Sequence, residues 1–310
     1  MSHRTRSSAA IAPWSATSRA EITRRAQRWL ASPALAELTA GLGGLNPSPL
    51  DARALLDWSA ANLDTRKGAE RRDARAAEWD AGWIELLLAV AAPLGLIETA
   101  PPGLRAYDTG LILGGATTGN RLRTEFAAHL VQSGVTFAEL VGLTAVRPLG
   151  PDERAGEPDS ADDESEWQNL SRYLHERFGP LRSCVITDGG KGTLTWREET
   201  LTNARDEQRL RLLVAPSSTT QRRATTSDAI RFFLDRTPPD QRVSTLVITS
   251  SIYAPYQFFS VAPILLDAGV EHVELVGTPT RQDRSTLLAQ RVGQEIHAAI
   301  EAATSLITAQ

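Results

Sequence analysis

The sequence predicts an α/β protein in which a helical N-terminal region precedes a parallel sheet covered by helices. Two observations predict this fold class. Residues 18–98 carry apolar side chains at steps of three and four, which is typical of amphipathic helices. After Tyr107, short β-branched or leucine-rich runs alternate with helical stretches, as in parallel strands joined by helices. We therefore predict a helical region over 1–105, flexible up to about residue 18, and an α/β domain over 106–310.

The N-terminal region is predicted to contain three helices. Apolar residues recur at helical spacing around Trp29, around Trp58 and over 67–92. Glycines and prolines over 41–49 and 101–103 interrupt the pattern. The tryptophans of these helices have two explanations, an oligomer interface or ordinary core packing, because large aromatic side chains serve both purposes.

The α/β domain is predicted to alternate strands and helices in a regular order. A predicted interruption over 188–207 is an inserted hairpin or loop, because alternating residues follow two glycines there. The predicted strands are 109–113, 137–143, 183–187, 210–214, 243–249 and 272–276. The predicted helices are 121–132, 163–178, 223–236, 257–266 and 284–303.

Charge and hydropathy narrow the functional class. The chain has 33 basic and 37 acidic residues and a net charge of -4, which gives no electrostatic reason to expect a nucleic-acid partner. The longest apolar run, 86–97, is too short to span a membrane and contains Pro93 and Gly95. The first residues lack the continuous apolar core of a secretion signal. We expect a soluble, cytoplasmic protein without a membrane partner.

The stretch YDTGLILGGATTGNRLR, residues 107–123, is the strongest candidate for a ligand site. It predicts a buried strand, a glycine-rich turn and the first turn of a helix, a junction that can hold an anionic or nucleotide-like ligand. Its spacing matches neither the G-x-G-x-x-G nor the G-x-x-x-x-G-K-[ST] motif, so a tight turn with ordinary capping stays an equal alternative. Glycines allow the turn, hydroxyl and amide groups can cap the helix, and arginines can clamp a carboxylate or phosphate. The candidate residues are Gly114, Gly115, Thr117, Thr118, Asn120, Arg121 and Arg123.

Small polar residues also follow the predicted strands that end near 214 and 249. Ligands bind outside the carboxyl ends of parallel strands, so we expect these residues to share one crevice with the glycine-rich turn. They are Ser217, Ser218, Thr225, Ser250, Ser251, Tyr256 and Gln257. Glu166 and Tyr253 are the candidate acid/base groups, although a phenol needs a positive charge nearby to act as a base at neutral pH.

Conventional catalytic and metal-binding signatures are missing from the sequence. It contains neither a G-x-S-x-G nor an H-E-x-x-H motif. The five histidines do not cluster along the chain. We therefore predict no metal site.

Four segments carry a resemblance to a known family: LILGG, ESEWQNL, SSTTQRRATTSDAI and LVITSSIYAPYQFFSVAPILL. Over residues 107–280 the chain resembles the YdcF-like proteins, which include SanA-like and ElyC-like envelope proteins. The resemblance implies a Rossmann-like three-layer domain that binds a small polar ligand, with an adenosine-containing compound such as S-adenosylmethionine as a precedent. The chain departs from the family at Ala224, Tyr253 and Gln257, where the family has asparagine, histidine and arginine, so the implied chemistry is altered or lost there.

Three functional hypotheses follow. The first is a small-molecule enzyme, a transferase or hydrolase, that binds an anionic or nucleotide-like ligand at the carboxyl edge of the sheet. The second is a ligand-binding or assembly protein without turnover, whose helical N-terminus forms a homo-oligomer. The third is an S-adenosylmethionine-dependent transferase, which rests on the family resemblance alone.

Overall fold

A single sheet of eight strands organises the part of the chain that the structure describes. The computed structural model describes residues 13–42, 51–67, 79–155, 163–203, 209–281 and 285–309. The strands are β1 (Trp14–Ala16), β2 (Ala106–Leu113), β3 (Thr136–Ala145), β4 (Leu181–Gly189), β5 (Trp196–Asn203), β6 (Arg209–Ala215), β7 (Ser244–Ser250) and β8 (His272–Thr278). They are arranged in the order β1-β8-β7-β2-β3-β6-β5-β4.

Helices precede and connect these strands. Four precede β2, namely α1 (Arg19–Leu30), α2 (Pro33–Gly41), α3 (Ala52–Asn62) and α4 (Ala81–Ala91). The others are α5 (Thr117–Gln132), α6 (Pro151–Ala155), α7 (Glu166–Phe178), α8 (Thr226–Arg236), α9 (Ala254–Asp267) and α10 (Thr286–Thr308). The mixed α/β class, the mostly parallel sheet and the N-terminal helices are therefore confirmed. No helix in the described ranges has the length and apolar composition to cross a membrane.

The parallel part of the sheet runs β8-β7-β2-β3-β6. The predicted insertion is an antiparallel hairpin, in which β4 pairs with β5 and β5 pairs with β6. The predicted strand 183–187 therefore belongs to this hairpin at the edge of the sheet. Alternation of apolar residues identifies a strand but does not identify its neighbours in the sheet.

Each parallel strand contributes side chains to both faces of the sheet. In β2, Leu111 and Leu113 join one buried cluster, whereas Ile112 joins the other. Helices α5 and α7 cover the face of Ile112, and α8, α9 and α10 cover the face of Leu111. Because successive side chains of a strand point to opposite faces, an apolar run in β2 requires cover on both sides.

Strand β1 joins the N-terminal region to the sheet. It pairs antiparallel with β8, with Trp14 opposite Leu275. The ring of Trp14 packs edge-on against Phe259 of α9 at a centroid distance of 5.8 Å. Of the residues predicted to be flexible, 1–12 lie outside the described residues, whereas Trp14–Ala16 forms this strand. The division of the chain at residue 105 stays a prediction.

A buried polar cluster joins the segment after α3 to α10. Arg66 Nη2 lies 2.6 Å from Glu295 Oε1, and the Glu295 side chain is only 3% exposed. Beside this pair, Ser59 Oγ and His297 Nδ1 are 2.9 Å apart. Burial lowers the pKa of His297, as do Arg66 and Lys67, and the charges of Asp64 and Glu301 only partly oppose this shift.

Lowering the pH from 7.5 to 5.5 is expected to destabilise the protein through His297. The folded state disfavours protonation, whereas an unfolded histidine titrates near about 6.5. Stability is therefore fully present above that pH and is lost as the pH falls toward the lower folded pKa. Urea unfolding at several pH values should show that His297→Gln loses less free energy of unfolding on acidification than wild type does. His129→Gln, which changes an exposed histidine, is the control and should keep the wild-type pH dependence. If His297→Gln keeps the pH dependence of wild-type stability, the effect does not come from His297.

Candidate functional site

The glycine-rich turn after β2 closes tightly against β3. The Gly114 N–H donates to the Leu143 carbonyl, with an N···O distance of 2.6 Å. A Cβ at Gly114 would lie 2.6 Å from Glu166 Oε1 and 2.7 Å from the Leu143 oxygen, so glycine is required at this close approach. The next N–H, of Gly115, donates to Asn120 Oδ1 at 2.8 Å. The turn therefore lies directly against the Glu166 carboxylate.

Asn120 and Thr117 connect the turn to its neighbouring helices. Asn120 is fully buried, and its Nδ2 donates to Asn169 Oδ1 at 2.9 Å. The Thr117 hydroxyl donates to the Glu153 carbonyl at 2.8 Å. The N-cap of α5 is Ala116, which makes no side-chain capping bond. Thr118 is exposed at the first turn of α5. The two buried side chains thus hold α6 and α7 against the start of α5.

Arg123 fills the crevice between the ends of β2 and β7. It is 3% exposed, and its Nη1 donates to the carbonyls of Leu113 at 2.5 Å and Gly114 at 2.8 Å. Its Nε donates to Ser250 Oγ at 3.2 Å. Its Cζ lies 5.5 Å from the ring centroid of Tyr253. One guanidinium therefore connects the glycine-rich turn, the end of β7 and a candidate acid/base residue.

Arg121 lies in a different environment. Its Nη1 is 3.3 Å from Glu125 Oε2, and Glu125 also pairs with Arg177 of α7 at 2.5 Å. Of the two arginines that the sequence nominates, the structure therefore brings Arg123 to the crevice. Residues two apart on a helix lie on different faces, which is the reason for the difference.

Glu166 is held in a network on the other side of the turn. Its Oε1 accepts from Thr144 Oγ1 at 2.9 Å, and its Oε2 accepts from Arg147 Nε at 2.7 Å. Both Nη atoms of Arg147 donate to Glu153, at 2.8 and 2.9 Å. Burial alone would lower the pKa of Arg147, but the hydrogen bonds and charges of the two glutamates outweigh it and raise that pKa. Glu166 is thus a fixed, paired carboxylate.

Arg147 is the site residue that the sequence reasoning missed. It follows the end of β3 by two residues, and its Nη2 also donates to the Gly115 carbonyl at 3.4 Å. Reading the residues after every predicted strand, the second one included, would have found it.

The polar segment after β6 lies two strands away from the glycine-rich turn. Thr225 caps α8 there, in a capping box with Asp228. Burial opposes ionisation of Asp228, but hydrogen bonds from Thr225, Ser218 and Arg222 outweigh it and lower the pKa of Asp228. The Ser217 N–H donates to the Thr193 carbonyl at 2.7 Å. Thr225 therefore serves helix capping, and Ser217 joins the β6 loop to the hairpin.

Not all of the residues after β7 reach the crevice between β2 and β7. Ser250 contacts Arg123, whereas Ser251 is fully buried and packs against β8, where a Cβ at Gly277 would lie 2.5 Å from the Ser251 nitrogen. Gln257 is 6% exposed. Burial raises the pKa of Tyr256, as do the charges of Glu295 and Glu301 of α10. The predicted single crevice thus receives only part of the predicted residues.

Two of the cavities that the described residues form lie at opposite ends of the parallel strands. One of about 250 Å³ lies at the carboxyl ends of β3 and β6, between Val146, Trp167 and Arg197. Another, of about 400 Å³, lies at the amino edge beside Tyr107 and Asp108. Among the described residues, no three His, Cys, Asp or Glu side chains lie close enough together to hold a metal ion.

Comparison with known protein families gives a match in the N-terminal region. Residues 14–95 match the family model of the Rv3785 N-terminal domain. The Rv3785 N-terminal domain match includes β1 and helices α1 to α4. No curated protein and no solved structure matches the chain.

This finding corrects the family resemblance that the sequence motifs indicated. The matching family is the Rv3785 N-terminal domain and not a YdcF-like, SanA-like or ElyC-like family, so that resemblance is wrong. The motifs that carried it are strand ends followed by glycine, serine and threonine. Such residues are required wherever a parallel strand turns tightly into a helix, whatever the family.

Proposed function

We propose that this protein is an enzyme that binds an anionic, nucleotide-like small molecule at the carboxyl edge of a Rossmann-like three-layer domain. The order of the strands in the sheet supports this position of the site. Chain connections run from β2 to β3 in one direction and from β7 to β8 in the other. The crevice between β2 and β7 is therefore the point where the order reverses, and ligands of open α/β sheets bind at such points.

The Arg123 guanidinium beside Gly115, at the start of α5, is the observation that carries the proposal. A Cβ at Gly115 would lie 3.2 Å from Arg123 Nη1, and Arg147 Nη2 donates to the Gly115 carbonyl at 3.4 Å. The N-terminus of α5 adds the positive end of its dipole at the same place. Arg147 is paired with Glu153 and Glu166, so the positive charge that favours a phosphate or carboxylate above the turn comes from Arg123 and the start of α5.

Tyr253 is the better candidate for proton transfer. Its ring centroid lies 5.5 Å from Arg123 Cζ, at the crevice between β2 and β7. Glu166 is better suited to positioning Arg147 and Thr144, because both of its oxygens already accept hydrogen bonds. Because Glu166 is held by these bonds, it is poorly placed to transfer a proton, which favours the alternative of ligand binding without turnover. The ligands to test first are nucleotides and their phosphate-bearing parts.

Replacing Thr118 with glutamate is expected to abolish ligand binding without unfolding the protein. A carboxylate in the first turn of α5 interacts favourably with the helix dipole but repels an anionic ligand. The melting temperature should rise with AMP, ATP, ribose 5-phosphate or pyrophosphate in at least one case for wild type and Thr118→Gln, and that rise should vanish in Thr118→Glu. A ligand at a hundred times its dissociation constant stabilises by about 2.7 kcal/mol.

The exposed Thr136 at the amino edge provides the matched control. Thr136→Glu adds the same charge at the start of β3 and should leave the ligand-induced shift unchanged. A shift that survives Thr118→Glu but not Thr136→Glu would move the site to the amino edge. No shift with any of these ligands would remove the proposal. Product analysis after incubation with the stabilising ligand separates turnover from binding.

A further inference from the structure

We infer that the carboxyl-edge cavity beside Trp167 binds a planar nucleobase that carries an amino group. This inference rests on the proposed function and names the part of the ligand that the glycine-rich turn does not hold. The cavity has a volume of about 250 Å³, which suits one ring system and not a complete cofactor.

The walls of the cavity are suited to a flat aromatic ligand. The Arg197 guanidinium stacks on the Trp167 ring, with Cζ 4.9 Å from the ring centroid. Trp167 is only partly buried. Gly189 and Gly190 line the same cavity without side chains. Every base has a π-face that stacks on tryptophan and arginine, and stacking is the common way in which proteins hold bases.

Polar groups of the cavity can recognise the edge of a base. Arg197 Nε is buried and has no hydrogen-bond partner among the residues that the structure describes. A buried donor without a partner costs free energy, which an acceptor nitrogen or oxygen on a ligand would recover. The Asp188 carboxylate lines the cavity, 64% exposed and 3.8 Å from Arg197 Nη1. A carboxylate accepts hydrogen bonds only, so it favours a base with an amino group.

The position of the cavity fits a nucleotide whose phosphate lies at the glycine-rich turn. The cavity lies at the ends of β3 and β6, and the turn follows β2. Two strand spacings, about 10 Å, therefore separate the two places along the edge of the sheet. Arg147 and Glu153 lie between them, after β3. A sugar joining base and phosphate would cross this middle position.

Calorimetric titration of the full chain tests the inference with AMP, GMP, adenosine and ribose 5-phosphate. Wild type should bind at least one of the two nucleotides about tenfold more tightly than ribose 5-phosphate, because stacking a base contributes this much. Arg197→Gln and Trp167→Leu should each reduce or remove that difference and leave the affinity for ribose 5-phosphate unchanged. Arg209→Gln, at the exposed amino end of β6, is the matched control and should retain the difference.

The outcomes separate the two proposals. Equal affinities for nucleotides and ribose 5-phosphate in wild type, or a difference that survives both cavity variants, would overturn the base site while leaving the anion site intact. Adenosine binding that depends on Arg197, combined with no binding of ribose 5-phosphate, would keep the base site and overturn the anion site. Binding of none of these ligands would overturn both. If circular dichroism shows that Trp167→Leu does not fold, Arg197→Gln decides.

Discussion

Replacing Arg123 with alanine is expected to lower the free energy of unfolding by about 3 kcal/mol, because charge-assisted hydrogen bonds are lost and buried acceptors are left without a donor. The acceptors are the carbonyls of Leu113 and Gly114, which Arg123 Nη1 contacts at 2.5 and 2.8 Å. Its Nε bond to Ser250 joins β7 to the same point. Urea unfolding monitored by circular dichroism measures the change.

Arg121→Ala is the matched control for this prediction. It removes the same kind of side chain two residues earlier on the same helix, but from a partly exposed pair with Glu125. Such pairs contribute little, so the change should stay within about 0.5 kcal/mol. Arg123→Lys keeps the charge but should still show most of the destabilisation of Arg123→Ala, because an ammonium group cannot reproduce the planar hydrogen-bonding geometry. Equal effects of Arg121→Ala and Arg123→Ala would contradict the placement of Arg123.

Replacing Glu166 with alanine is expected to destabilise the fold by about 3 kcal/mol, because two buried donors lose their acceptor. The variant removes the acceptor of Arg147 Nε and of the Thr144 hydroxyl. Glu153 continues to pair with Arg147, which limits the loss. The same variant frees space against Gly114, so the glycine-rich turn should become more mobile and amide hydrogen exchange there faster.

Glu166→Gln separates charge from shape. The amide retains an oxygen for the Thr144 hydroxyl but places no negative charge beside Arg147, so it should lose part of the stability that Glu166→Ala loses. Glu176→Ala, which breaks an exposed pair with Arg172 on the same helix, should change stability by less than about 0.5 kcal/mol. If Glu166→Ala is as mild as Glu176→Ala, the buried network does not stabilise the turn.

The predicted segments of the sheet were recovered because their patterns are local. The predicted strand 109–113 lies within β2, and the predicted helix 223–236 overlaps α8. Strand β1 was not predicted, because three residues between flexible and helical patterns carry no detectable period. Its pairing with β8 joins residues about 260 positions apart, and no local pattern reports such a distant partner.

The amino-acid sequence by itself determined the α/β class, the helical N-terminal region and the tight turn at Gly114 and Gly115, because periodicity and glycine placement act over a few residues. Only the tertiary structure decided that Arg123 enters the crevice, and that Arg147 and Glu166 pair beneath the turn. Those contacts join separate elements of the sheet and its helices. Their partners depend on strand order and helix rotation, which the spacing of residues along the chain does not specify.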